Sequence, residues 1–140
     1  MSARIRMISL EELNAGIPNT MMEVLGIRFT RIGEDFVQGE MPVDARTHQV
    51  YGILHGGASV ALAESLGSMA SMLVADSKHY KCVGLEINAN HLRSVSSGKV
   101  IGVARPIHLG RTTHIWDIRI TDDRDRLICI SRLTVAVISK

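Results

Sequence analysis

Residues 56–75, GGASVALAESLGSMASMLVA, carry one charged side chain, Glu64, and no other stretch constrains the fold as strongly. A helix that is apolar on nearly every face has to be buried, in a bilayer or at the centre of a globular domain. The run approaches the roughly 20 residues that span a membrane. It is rich in Gly, Ala and Ser, however, its acid is central, and the segments on both sides alternate as strands of water-soluble domains do, so the membrane reading is rejected. The expectation is a core helix. An unpaired carboxylate on such a helix costs several kcal/mol unless something compensates it or the proton stays on, which makes Glu64 a candidate functional group.

The rest of the chain fits a single domain over residues 1–140, with residues 1–20 as an N-terminal helical extension. Sixteen basic and fourteen acidic side chains are scattered, and aromatic residues make up only 4%, a poor signature for nucleic-acid binding. Cys82 and Cys129 form no CxxC pair and sit in apolar runs where a thiol serves as a small hydrophobe, which indicates a reducing compartment. The N-terminus shows no apolar signal-peptide core, so a cytoplasmic location is expected.

Along the chain, Ser9 and Glu12 have the spacing of a capping box and predict a short helix through Asn14, stopped by Gly16 and Pro18. Ile27 and Phe29 alternate with Arg28 and Thr30, a second run follows over 36–43, and Gly33, Glu34 and Asp35 form the turn of a hairpin. Beyond the long helix the pattern is strand-like to the end. Val83, Leu85, Ile87 and Ala89 are expected on one face, with Asn88 and Asn90 capping the strand end; a strand follows over 100–107. His114, Trp116, Ile118 and Ile120 share a face of the next strand, and the last runs over 127–138. The DDRDR stretch reads as a solvated turn and not a metal site. Short connections favour antiparallel neighbours. The expected fold class is α+β, a curved antiparallel sheet wrapped around one long central helix.

Several residues could carry chemistry. The HGG before the helix, His55, Gly56 and Gly57, supplies backbone N–H groups that the first turn cannot satisfy, and the helix dipole adds attraction for developing negative charge. Those glycines serve either an oxyanion site or simply a tight loop. No G-x-S-x-G elbow, HExxH, Walker loop or GxGxxG fingerprint accompanies them, and neither metal nor cofactor is implied. Glu64 lies eight residues past Gly56, about 12 Å up the helix axis. One reacting carbonyl cannot touch both in one subunit. If both act on one substrate, two antiparallel helices must contribute, and the protein is an obligate dimer with sites at its interface. Ser68 and Ser71 extend a polar stripe beyond Glu64; Ser68 is a candidate pocket residue and Ser71 is expected to bond back to its i−4 carbonyl. His55 and His91 are candidates for substrate contact. Arg93, Lys99, Arg105 and Arg111 are basic positions that either edge the sheet or meet a phosphorylated ligand.

The stretch MPVDARTHQVYGILHGGASVALAES, followed by GLEINANHLR and a late SRLT strand, resembles hotdog-fold acyl-CoA thioesterases of the 4-hydroxybenzoyl-CoA type over roughly residues 24–138. It resembles most the branch that includes 1,4-dihydroxy-2-naphthoyl-CoA hydrolases of menaquinone synthesis and proofreading thioesterases of enterobactin synthesis. The resemblance implies a hotdog fold, a dimer with a continuous sheet, and a homotetramer built as a dimer of dimers. It implies that Glu64 is the catalytic carboxylate, that Gly56 donates its backbone N–H to the thioester oxygen, and that Gln49 positions the reacting carbonyl or water. It also brings His55 and Ser68 to the reaction centre and His91 to the acyl pocket. The departure is Val50, where these relatives follow the loop glutamine with proline, which frees the backbone and adds an N–H.

The expected reaction is hydrolysis of an acyl-CoA with an aromatic or otherwise bulky acyl group, Glu64 acting as nucleophile or as general base, with Arg93 and Arg111 meeting the CoA phosphates. An acyl or aryl carrier protein could take the place of CoA. The rival readings are an acyl-thioester dehydratase and a non-catalytic acyl-CoA-binding module. Neither nucleic acid nor membrane is expected as a partner.

Overall fold

The computed structural model describes residues 4–140. The N-cap half of the box forms as its spacing predicts, with Ser9 Oγ accepting the Glu12 N–H at 3.1 Å, while the Glu12 carboxylate takes the Ser9 hydroxyl at 3.2 Å instead of its amide; α1 spans Leu10–Asn14. A second short helix, α2 (Met21–Leu25), was not foreseen, since so few residues display no period. It stops at Gly26, whose φ of 74° is left-handed. β1 (Arg28–Gly33) and β2 (Phe36–Pro42) form the expected hairpin, with Thr30 as an extra residue in the pairing.

The apolar run becomes α3 (Gly56–Val74), followed by β3 (Tyr80–His91), β4 (Lys99–Leu109), β5 (Thr113–Thr121) and β6 (Leu127–Ser139). All strand pairs are antiparallel, in the order β1-β2-β4-β5-β6-β3, and α3 lies along the concave face against β2, β3, β4, β5 and β6. This is the α+β hotdog architecture expected from the sequence, and α3 is its core helix. Leu62, Ala63, Leu66 and Ala70 are completely buried. The sheet comes close to the helix where it lacks side chains: a Cβ on Gly39 or Gly102 would lie 2.8 or 2.7 Å from a Leu66 methyl group.

On β5 the predicted face holds, with His114, Trp116, Ile118 and Ile120 all buried. Ser71 differs from its expected role. Its Oγ accepts from Trp116 Nε1–H at 2.7 Å and lies 2.9 Å from His114 Nδ1, joining helix to sheet rather than bonding back to its own helix. An indole N–H stranded at this depth would cost about 1–3 kcal/mol, so the serine is structural. Burial, with His108 adding to it, pushes the His114 imidazole below its ordinary value of 6.5. The unfolded chain therefore binds the proton more readily. This contribution to stability is complete above about pH 6.5 and is lost as the pH falls from there through the depressed folded value. Thermal melts should show a Tm that drops below about pH 6.5, with the slope flattened in His114→Gln; an identical slope in the variant would assign the acid sensitivity elsewhere.

Two further expectations are corrected. Residues Asp123 to Arg126 of the DDRDR turn are exposed as expected, but its first residue is not. Asp122 is buried and accepts the Arg124 and Arg126 amides at 2.9 Å each and the Arg126 guanidinium at 2.7 Å. Burial works against its ionisation, but the Arg126 amide and guanidinium and the Arg124 amide outweigh it and hold the carboxyl below its usual range. The other correction concerns β3, where Gly84 pairs with Val135 and Glu86 with Thr134, leaving Leu85 as an extra residue. Side chains opposite one another across a strand pair share a face. Cys82 and Gly84 therefore face α3 before the bulge, and Ile87, Ala89 and His91 face it afterwards. Val83 and Leu85 are exposed, and Asn88 and Asn90 are paired inside the strand rather than capping it.

Candidate active site

The HGG segment begins α3. His55 is the N-cap, with extended φ and ψ of −69° and 130°; its carbonyl takes the N–H of Ala58, and its ring Nδ1 accepts the Gly57 N–H at 2.8 Å. The His55 N–H goes to the Thr47 carbonyl at 2.8 Å. Gly56 is thus left with the one first-turn amide of α3 that has no acceptor among the described residues. With Nδ1 accepting, a neutral His55 ring carries its proton on Nε2 and presents it as a donor.

The loop before α3 is folded onto the segment after β3. Leu54 N–H donates to the Val95 carbonyl at 2.7 Å and His48 Nε2 to the Ser96 carbonyl at 2.9 Å. Gln49 is fixed at both backbone groups, its N–H on the Ile53 carbonyl at 2.8 Å and its carbonyl taking the Gly52 N–H at 2.9 Å. Its side-chain oxygen accepts the Tyr51 N–H. Val50 in place of a proline therefore leaves the glutamine backbone held, and the Val50–Tyr51 tip projects into solvent at 97% and 84% exposure.

This folding gathers Gln49, Gly56, His91 and Arg93, with Ser59 and Ile53, around one cleft of about 380 Å³. His91 lies directly against Gly56, where an added Cβ would come 2.8 Å from its Nε2. Glu64 and Ser68 open instead on a second cleft of about 410 Å³, whose walls include Met21, Met22, Met69 and Met72. Glu64 is half-buried, and no described side chain or amide donates to its carboxylate. Its Oε2 lies over Gly84 of β3. Within one protomer, then, the structure brings Gln49, Gly56, His91 and Arg93 together and keeps Glu64 and Ser68 apart from them, as the helix rise requires. The four methionines were missed in the sequence; the only hint was the Met21–Met22 doublet, a flexible and polarisable pair suited to an adaptable wall.

His55 itself opens on a third cleft, with Arg46 and His48. Arg46 is engaged there: its guanidinium hydrogen-bonds Asp44 at 2.7 and 3.1 Å and holds that carboxyl at about 2. Of the basic positions singled out, Lys99 pairs with Glu40 at 3.0 Å, while Arg105 pairs with Asp35 and stacks on Phe36. Among the described residues Arg93 and Arg111 have no carboxylate partner. Arg111 lies in the β4–β5 turn, outside these three clefts.

Comparison with known proteins gives this arrangement a context. The Thioesterase superfamily profile matches residues 51–129, a span that holds both Gly56 and Glu64. The 1,4-dihydroxy-2-naphthoyl-CoA hydrolase of Escherichia coli is 53% identical over 133 residues, covering 95% of this chain and 97% of the relative. The proofreading thioesterase EntH of Cronobacter sakazakii is 52% identical over 134 residues, covering 95% and 96%. The crystal structure of a mutant of thioesterase PA1618 from Pseudomonas aeruginosa superposes with a TM-score of 0.96 at 55% identity, over 99% of this chain and all of that one. A capped helix N-terminus with one free amide, a lone acid farther along the same helix, and relatives that match nearly end to end identify the chain as a member of the thioesterase superfamily, an enzyme that hydrolyses thioesters.

Proposed function

We propose that the protein hydrolyses acyl-CoA thioesters with aromatic or otherwise bulky acyl groups, at sites shared between two subunits. Glu64 of one protomer and the backbone N–H of the partner's Gly56 act on one thioester carbonyl. The observation that carries this reading is a pair of complementary half-sites: a free amide among Gln49, His91 and Arg93, and a free carboxylate in another cleft. Beside the carboxylate runs β3, a long edge strand whose Val83 and Leu85 are exposed. Unpaired edges of this length are ordinarily covered, and pairing with a second copy would set two α3 helices side by side. The dimer-of-dimers arrangement belongs to the same proposal.

In the reaction the thioester carbonyl oxygen becomes an oxyanion. Gly56 N–H and the positive end of α3 meet it where that charge develops. Glu64 either attacks the carbonyl carbon, releasing CoA thiolate and leaving an anhydride for water to open, or takes a proton from the water that attacks. Both routes give free acid and CoA. Gln49, held at its backbone, offers its side-chain amide to the carbonyl or the water. His55 Nε2–H and Ser68 lie on the flanks, and His91 stands beside the oxyanion donor. A cytoplasmic setting accords with two free thiols, both pushed up by burial.

The choice of acyl group is supported by the methionine-rich wall around Glu64 and by the bicyclic aromatic named for the Escherichia coli relative. Thiol release from a panel of acyl-CoA substrates tests the reading. Aromatic acyl-CoA should be turned over with a higher kcat/KM than short straight-chain acyl-CoA, and Arg93→Ala combined with Arg111→Ala should raise KM several-fold at low salt. A dehydratase would release no thiol, a binding module would saturate without turnover, and an unchanged KM in the double variant would remove both arginines from the CoA site.

A further inference from the structure

We infer that Gly84, together with the bulge beside it, is a positioning residue that sets where the Glu64 carboxylate points; this rests on Glu64 being the reacting carboxylate. Gly84 lies inside a strand, where glycine weakens pairing and needs a reason. Its backbone does not supply one, because the positive φ values among the glycines are at Gly26, Gly52 and Gly98. Space does. A Cβ on Gly84 would come 2.5 Å from Glu64 Oε2, and the next nearest side chain, Leu133, would be in ordinary contact at 3.8 Å. No described group donates a hydrogen bond to Glu64, so the empty position on β3 defines where the acid rests.

The Leu85 bulge completes the device. Gly84 is paired with buried Val135 and so faces α3, and His91 is paired with buried Cys129 and also faces it. Their separation is an odd number of residues, and an unbroken strand would turn one of them outward. The extra residue allows one strand to leave room for Glu64 and to set His91 against Gly56. Bulges are known to re-aim side chains in this way.

Gly84→Ala isolates the effect, since its one steric conflict is with the end of the Glu64 side chain. The variant should elute as the parent does on size exclusion, with a Tm unchanged or raised. Its KM should stay within about twofold while kcat falls about 10- to 100-fold, the scale expected when a reacting group is displaced by about an ångström. In a Glu64→Asp background, followed by single turnover with enzyme in excess, the shorter acid does not reach the notch, and adding Gly84→Ala should change the rate by less than about twofold. The inference is overturned by a Gly84→Ala kcat within about twofold of the parent, by an equal loss in both backgrounds, or by a loss that comes with a lowered Tm or a smaller assembly. A Glu64→Gln enzyme at near the parental rate would instead remove the underlying reading, so the two failures are told apart.

Discussion

Glu64→Gln should lower kcat by about 10³-fold while KM stays within a few-fold. Glutamine matches the shape of glutamate, so the helix and the cleft wall remain as they are, and no protein donor that now bonds the carboxylate is stranded. What is lost is the charge and the basic oxygen. An amide neither adds to a thioester nor accepts a proton from water at a useful rate. Initial rates of thiol release across a range of acyl-CoA concentrations measure both constants. A parallel fall in binding would mean that the carboxylate holds the substrate rather than reacting with it.

The second large effect belongs to the amide of Gly56. Proline is well tolerated at the first position of a helix, because the N–H it lacks has no intrahelical partner there. His55 already has the extended conformation that a residue before proline requires. Gly56→Pro therefore replaces the donor hydrogen at the proposed oxyanion site with the ring Cδ while keeping the helix and its dipole. Gly56→Ala is the matched control: it crowds the His91 ring in a similar way but retains the N–H. Relative to alanine, proline should cost at least about 10²–10³ in kcat, the range for loss of one preorganised donor, because the ring Cδ also keeps the oxygen from that position. Circular dichroism should show both variants folded. Equal rates would mean that the thioester oxygen is bound elsewhere.

Much of this architecture is written in local patterns. The long apolar run, the Ser9–Glu12 cap, the first hairpin and the alternation at His114–Ile120 each record a constraint satisfied within a few residues, so they are legible before the chain folds. The arithmetic of helix rise likewise separates Gly56 from Glu64 without coordinates. What escaped is tertiary. The pairing of β3 with β6 absorbs Leu85 as a bulge, and an alternation read across residues 83–89 cannot register that phase change. Ser71 looks like an ordinary helical serine until Trp116 and His114, more than forty residues away, arrive above it. Asp122 looks solvated until the chain closes around it. The contact of His91 with Gly56 has no local signature, because it joins the end of a strand to the start of a helix.

The central claim is that each site takes its acid from one subunit and its amide from the other, and mixed assemblies test it most directly. Glu64→Gln and Gly56→Pro chains, each carrying a distinct affinity tag, are co-expressed, and the hybrids are separated from the two parental assemblies. In a hybrid dimer with shared sites, one site has both defects and the other has neither. Hybrids should then regain about half of the unsubstituted enzyme's rate per dimer, and an unfractionated equal mixture about a quarter. Hybrids no more active than the inactive parents would place both groups in the same protomer's site and contradict the account.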